Sequence, residues 1–214
     1  MIFAIWAKNW YYRYITVYFV AKGGGALRMI CYGDSNTFGY RPDGFFGGRY
    51  SEQERWVDMF SLLSGWETVN LGANGRGVPF GEAELKAAAE EITSQNGDLF
   101  MVMIGANDIL EGMTAKGICS KMREFLAVLP FEKDEILIIA PPPMRQGLWV
   151  SDMRLTVESL RLCAEYGELA RKEGISFVNA AKWDIPLLSD GVHFTDEGHR
   201  KFARSLYKEL CRRG

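Results

Sequence analysis

Histidine is scarce: His193 and His199 are the only two imidazoles in 214 residues. The four cysteines (Cys31, Cys119, Cys163 and Cys211) are widely separated and form no CxxC or other ligand spacing. Together these counts exclude a structural zinc site. Thiols this scattered in a chain of this length make no disulfide framework, so they are expected to be reduced, which favours the cytoplasm. An excess of one charge is also missing. With 25 Lys+Arg against 27 Asp+Glu, a formal charge of -2 and a pI near 5.8, nothing favours a polyanionic partner, and nucleic acid is excluded as the expected ligand. There is no internal repeat, low-complexity tract or interdomain linker. What remains is one globular domain, 48% hydrophobic, long enough to bury roughly 70% of its unfolded surface.

The first 28 residues stand apart. They contain Lys8, Arg13, Lys22 and Arg28 but no acid, which leaves 21 basic against 27 acidic residues in the rest of the chain. Aromatic residues crowd the stretch, from Trp6 and Trp10 to Tyr18 and Phe19. A transmembrane helix needs about 20 mostly apolar residues; Lys8, Asn9 and Arg13 interrupt this one, so no membrane span is expected. A secretory signal puts its positive charge before the apolar core, whereas here Ile2 to Ala7 comes first, although Val20-Ala21 and the glycines after them resemble a cleavage region. Residues 1–28 are therefore open to three readings: an extension foreign to the domain, an interfacial or packing segment, or a signal. The domain itself is expected to span 29–214.

From Met29 onward, short apolar runs alternate with amphipathic stretches. Strands are predicted at Met29–Tyr32, Thr68–Leu71, Leu99–Ile104, Ile136–Ala140 and Ile175–Val178. Helices are predicted at Ser51–Leu63, Gly81–Thr93, Ala115–Leu129, Ser151–Lys172 and Thr195–Leu210, the last with Thr195 as N-cap and Gly198 as a weak point. The run Leu99–Ile104 is continuously apolar, as a central strand covered on both faces would be. Strand-helix alternation implies βαβ units, and hence a three-layer α/β/α sandwich around a five-stranded parallel sheet.

In such sheets ligands collect beyond the carboxyl ends of the strands, and each informative motif falls there. Gly33-Asp34-Ser35-Asn36 follows the first strand, Asn70-Leu71-Gly72-Ala73-Asn74-Gly75 the second, and Gly105-Ala106-Asn107-Asp108 the third. Asp190-Gly191-Val192-His193 leads into the last helix. A serine in such a loop is usually a cap or turn residue. A serine nucleophile needs a base, and that base needs a partner to fix its tautomer. His193 with Asp190 three residues before it meets both requirements, which gives Ser35 weight. His199, six residues further on, reads as an exposed or capping helical histidine. The oxyanion of an acyl-transfer intermediate needs preset donors, and the candidates are the Ser35 N–H, the Gly72 N–H and the Asn107 amide. Taken singly, Gly72 is equally a turn glycine and Asn107 an Asx-turn residue.

These four blocks, in order across nearly all of residues 29 to 210, resemble the SGNH, or GDSL-type, esterase and acylhydrolase superfamily. The run Gly33 to Tyr40, with Arg49-Tyr50 and Arg55-Trp56, resembles its arylesterase and acyltransferase branch. The resemblance implies the flavodoxin-like SGNH hydrolase fold, Ser35 as nucleophile, His193 as base and Asp190 as its partner. It also implies an oxyanion hole made by Ser35, Gly72 and Asn107. Asn36 stands where the eponymous motif has leucine, and Gly77-Val78 where threonines are expected.

An α/β-hydrolase elbow needs G-x-S-x-G, which Thr37 breaks. Gly75-Arg76-Gly77-Val78-Pro79-Phe80, with Asp98 downstream, approaches a dinucleotide fingerprint, but Phe80 occupies the third glycine position and Pro79 removes a donor. Aromatic residues from Phe38 to Tyr50, and Trp149 within Met144–Val150, suit a cleft wall for aryl, acyl or sugar groups. They equally suit packing against a neighbouring subunit of a homo-oligomer. Arg41 and Arg49 read either as anion contacts or as solvated side chains. The expected function is a cytoplasmic serine ester hydrolase, with water or an alcohol as acceptor. It would act on small or acetylated esters through a covalent acyl-enzyme, with no metal or organic cofactor. The alternative is a non-catalytic carbohydrate- or ligand-binding protein on the same fold, which would bind stoichiometrically and form no adduct.

Overall fold

A computed structural model describes residues 26–42 and 48–211. Most of the segment 1–28, the aromatic residues Phe45 and Phe46, and the last three residues lie outside the described residues. The main sheet contains β1 (Arg28–Gly33), β4 (Glu67–Gly72), β5 (Leu99–Met103), β6 (Ile136–Ala140) and β7 (Ser176–Asn179). All its pairings are parallel, in the order β4-β1-β5-β6-β7. Counting only those strands, the order is 2-1-3-4-5, the flavodoxin-like winding in which the connections reverse direction beside the first strand. The three-layer α/β/α expectation holds.

The pleat explains the two cores. Side chains alternate across a strand, so Ile30, Tyr32, Phe100, Val102, Ile136 and Ile138 face one layer, formed by α3 (Gly81–Thr93), α5 (Ala115–Ala127) and α6 (Met153–Glu173). Met29, Cys31, Met101, Leu137 and Ile139 face the other, formed by α2 (Trp56–Ser64) and α7 (Asp196–Leu210). Each buried Ile, Val, Leu, Phe and Met among these contributes roughly 1.5–3 kcal/mol of transfer free energy. The four cysteines are free thiols, Cys31 and Cys163 buried and Cys119 and Cys211 half-buried. Among the described residues no helix is long and apolar enough to cross a membrane.

Several boundaries depart from the sequence expectation. The helix expected from Ser51 starts only at Trp56, because Ser51 donates from both its N–H and its hydroxyl to Glu54 in a turn and Arg55 is extended (ψ 136°). The loops holding Ser35 and Asn107 contain short helices, α1 (Ser35–Phe38) and α4 (Ala106–Leu110). A small antiparallel ladder pairs β2 (Tyr40–Arg41) with β3 (Gly48–Arg49). Thr195 caps α7 as expected, accepting from the Gly198 N–H at 2.9 Å. Gly198 is no simple weak point: a β-carbon there would lie 2.3 Å from the Pro186 carbonyl, so close approach of the chain demands glycine.

Candidate active site

Ser35 is the first residue of α1, immediately after β1 ends at Gly33. The turn between them is fixed by Asp34, whose carboxylate caps α1 through the Asn36 N–H at 2.9 Å, and by Gly39, which closes α1 in the left-handed region (φ 86°). His193 arrives from the opposite end of the chain, on the loop before α7, and its Nε2 lies 2.9 Å from Ser35 Oγ. Its Nδ1 lies 2.8 Å from Asp190 Oδ2. The other Asp190 oxygen accepts the N–H groups of Val192 at 2.8 Å and His193 at 2.9 Å. Three donors thus surround one carboxylate. Burial alone would raise its pKa, but the bonds from the His193 ring and from the two N–H groups hold it below the usual range. With Asp190 ionised, Nδ1 carries the proton and Nε2 is left to accept one from Ser35.

Ser35, His193 and Asp190 are all buried. The Asp190 loop is braced from β6's side of the fold: the N–H groups of Leu148 and Trp149 donate to Ser189 and Asp190, each at 3.0 Å. A β-carbon on Gly147 would sit 2.5 Å from the Asp190 carbonyl carbon, so this strap runs as close to the loop as glycine allows. Two aromatic rings flank the imidazole, Tyr40 at 4.7 Å and Trp149 edge-on at 4.9 Å between centroids. Of the cationic groups in the sequence, Arg49 lies over the Phe38 ring and donates to the Phe38 carbonyl at 2.7 Å, and Arg41 lies over Tyr50.

The expected oxyanion donors fare differently. The Ser35 N–H has no acceptor among the described residues. Asn107 donates one amide proton to the Arg76 carbonyl at 2.9 Å, which orients the side chain; its second proton has no acceptor among the described residues. Asp108 fixes the same loop, accepting from the Val78 N–H at 2.9 Å and from Lys121 at 3.1 Å. Gly72 departs from expectation. It ends β4 and does not form a turn, and its N–H is taken up by the side chain of Asn70 at 2.9 Å. The reason for glycine there is steric, since a β-carbon would lie 2.0 Å from the Phe38 nitrogen.

His199 also differs from its exposed or capping reading. It is fully buried on α7, with its ring edge-on to Tyr50 and Phe194, and its Nδ1 accepts the Trp56 N–H at 3.4 Å. It does cap a helix, but a neighbouring one: Trp56 N–H is among the unpaired donors at the start of α2. Burial drives its pKa down to about 3. The preceding carboxylate of the serine loop, Asp34, is pushed the other way by burial, up to about 6, against the pull of the Asn36 N–H and of His193.

A serine, an imidazole and a carboxylate thus stand in hydrogen-bonded series at the carboxyl edge of a flavodoxin-like sheet. The particular family follows from sequence comparison, in which residues 31–201 match the GDSL-like Lipase/Acylhydrolase family, and the chain belongs to it. It is a carboxylic ester hydrolase. No curated protein matches the chain. Solved structures share the fold at low identity. The native M. smegmatis aryl esterase superposes with a TM-score of 0.73 at 21% identity, covering 86% of this chain and 98% of its own. Est24, a carbohydrate acetylesterase from Sinorhizobium meliloti, gives 0.73 at 19% identity, covering 86% and 98%. A member of the lipolytic protein G-D-S-L family from Veillonella parvula gives 0.67 at 18% identity, covering 88% and 100%.

Proposed function

We propose that this esterase cleaves small or acetylated esters through a covalent acyl-enzyme on Ser35. The observation that carries the reading is the unbroken series Ser35 Oγ, His193 Nε2, His193 Nδ1, Asp190 Oδ2, with links of 2.9 and 2.8 Å. His193 removes the Ser35 proton as Oγ attacks the ester carbonyl, and the imidazolium is stabilised by Asp190. The Ser35 N–H and the free Asn107 proton donate to the oxyanion. The intermediate collapses as His193 returns the proton to the leaving alcohol; water, activated in turn by His193, then releases the acid. An alcohol in place of water completes an acyl transfer.

Because the Gly72 N–H is committed to Asn70, the third donor is assigned to the loop beyond β4. The N–H groups of Asn74 and Gly75 have no acceptor among the described residues. Tyr40 and Trp149 beside the imidazole support an aryl or sugar leaving group, since the departing oxygen must lie near Nε2 to be protonated. The domain assigned to this activity is 29–214, and the cytoplasm is its proposed location.

Turnover of p-nitrophenyl acetate, with and without a serine-directed fluorophosphonate and followed by intact mass, tests the reading. The expected result is hydrolysis abolished together with a single adduct on Ser35. Stoichiometric ligand binding with no turnover and no adduct would reject it in favour of a non-catalytic binding protein.

A further inference from the structure

Asn36, the residue after the nucleophile, is buried, and among the described residues its side chain has no hydrogen bond to Ser35 Oγ or to the His193 ring. Its hydrogen bonds lead elsewhere. Nδ2 donates to the Val192 carbonyl at 3.1 Å, and Oδ1 accepts the Phe194 N–H at 2.8 Å. These are the backbone groups immediately before and after His193. One planar amide therefore grips the histidine loop from both sides, as a neighbouring β-strand would, across a sequence separation of 156 to 158 residues. The amide is itself held at its backbone. The Asn36 N–H donates to Asp34 at 2.9 Å, and its carbonyl accepts the indole N–H of Trp56 at 2.9 Å. Trp56 in turn donates its backbone N–H to the buried His199 at 3.4 Å. The Ser35–His193 bond also joins these segments, and it is the one the chemistry must break and remake.

From this bracket we infer that Asn36 is a positioning residue, setting the separation of Ser35 Oγ and His193 Nε2 by locking the histidine loop to the serine turn. Aspartate at the position would keep the acceptor for the Phe194 N–H but turn a second oxygen on the Val192 carbonyl. Alanine would leave both buried backbone groups without partners. In either case the imidazole is freed to move against the serine, and displacement on the order of 1 Å costs up to about 10²-fold in rate.

The inference rests on His193 acting as the base, so the test is a double-mutant cycle in the full chain. Asn36→Ala and Asn36→Asp are each made in the wild-type and in the His193→Ala background, with thermal melting to confirm folding and p-nitrophenyl acetate as substrate. In the wild-type background both variants are expected to lose about 10- to 100-fold in kcat with KM changed less than about threefold, as positional loss predicts. In the His193→Ala background the same substitutions should change the residual rate less than about threefold, because there is no base left to position. Asn36→Asp, nearly the same shape, carries the test if the alanine variant does not fold. The inference is overturned if folded variants keep kcat within threefold of wild type, or if the loss is equal in both backgrounds, as a general structural role would give. Near-normal activity of His193→Ala alone would instead overturn the acyl-enzyme reading itself.

Discussion

Gly33 and Gly72 pair across the β1–β4 ladder, and neither position has room for a methyl group. A β-carbon on Gly33 would meet Thr37 Oγ1 at 2.2 Å, and one on Gly72 would meet the Phe38 nitrogen at 2.0 Å. The two glycines let α1, with Ser35 at its head, sit directly on the ends of the strands. Gly72→Ala should therefore destabilise by at least the ~1–3 kcal/mol typical of overpacking, because the obstructing atoms are backbone. Gly75→Ala has open space around its β-carbon and meets only the strain of its φ of 73°. Urea denaturation should place Gly72→Ala well below Gly75→Ala in stability; equal midpoints would mean that the serine turn shifts without cost.

Asn107→Ala tests the oxyanion role apart from the nucleophile. Loss of the donated bond should lower kcat by about 10²- to 10³-fold with little change in KM, since the interaction strengthens in the transition state. Fluorophosphonate labelling of Ser35 should persist at a reduced rate. A lower melting temperature with unchanged kcat for the folded fraction would assign Asn107 to holding the Arg76 carbonyl alone.

Asp190→Asn keeps the shape of the carboxylate while weakening its hold on the Nδ1 proton. Three donors now converge on Asp190, and an amide in its place must turn its own N–H groups on one of them. A fall in kcat of about 10³- to 10⁴-fold is expected, with the imidazole in the wrong tautomer. Stopped assays across pH 6 to 9 provide the check, and wild-type kcat anywhere in that range would remove Asp190 from the series.

His199 gives stability a pH dependence. Its folded pKa of about 3 lies far below the ordinary 6.5, chiefly because of burial. As pH falls past 6.5 the unfolded chain binds a proton that the folded chain does not take up until about 3. Its contribution is thus complete above 6.5 and declines by about 1.4 kcal/mol per unit of pH below it. Asp34 contributes a slope of opposite sign between 3.8 and about 6, common to wild type and variant. His199→Phe should accordingly show a shallower fall in melting temperature between pH 6.5 and 4 than wild type does. Parallel slopes would show that the imidazole is protonated in the folded protein.

Much of this architecture was legible in the sequence. Strand and helix periodicity placed the five sheet strands to within a residue or two, because each is an apolar run bounded by turn chemistry. It also gave α3 its bounds, Gly81–Thr93. Ser35, Asp190, His193, Gly72 and Asn107 could be singled out as candidates from residue type and loop position, and the fold brings the first three into one hydrogen-bonded series. The start of α2 was misplaced because the Ser51–Glu54 turn has the same polar residues as a helix N-terminus.

Tertiary structure alone decided the rest, through contacts between residues far apart in the chain. The sequence marks Gly72 as a glycine; only the approach of Phe38 shows that it spares a collision and that its N–H is spent on Asn70. It marks Asn36 as a departure from leucine, whereas the fold brings Val192 and Phe194 to its amide. His199 reads as a surface residue because α7 is polar around it, yet packing against Tyr50, Trp56 and Phe194 buries it. Residue type determines what a side chain can donate, accept or clash with, and sequence therefore determines the elements and the chemistry. Which partner receives each hydrogen bond depends on distances that exist only once the sheet has brought its loops together.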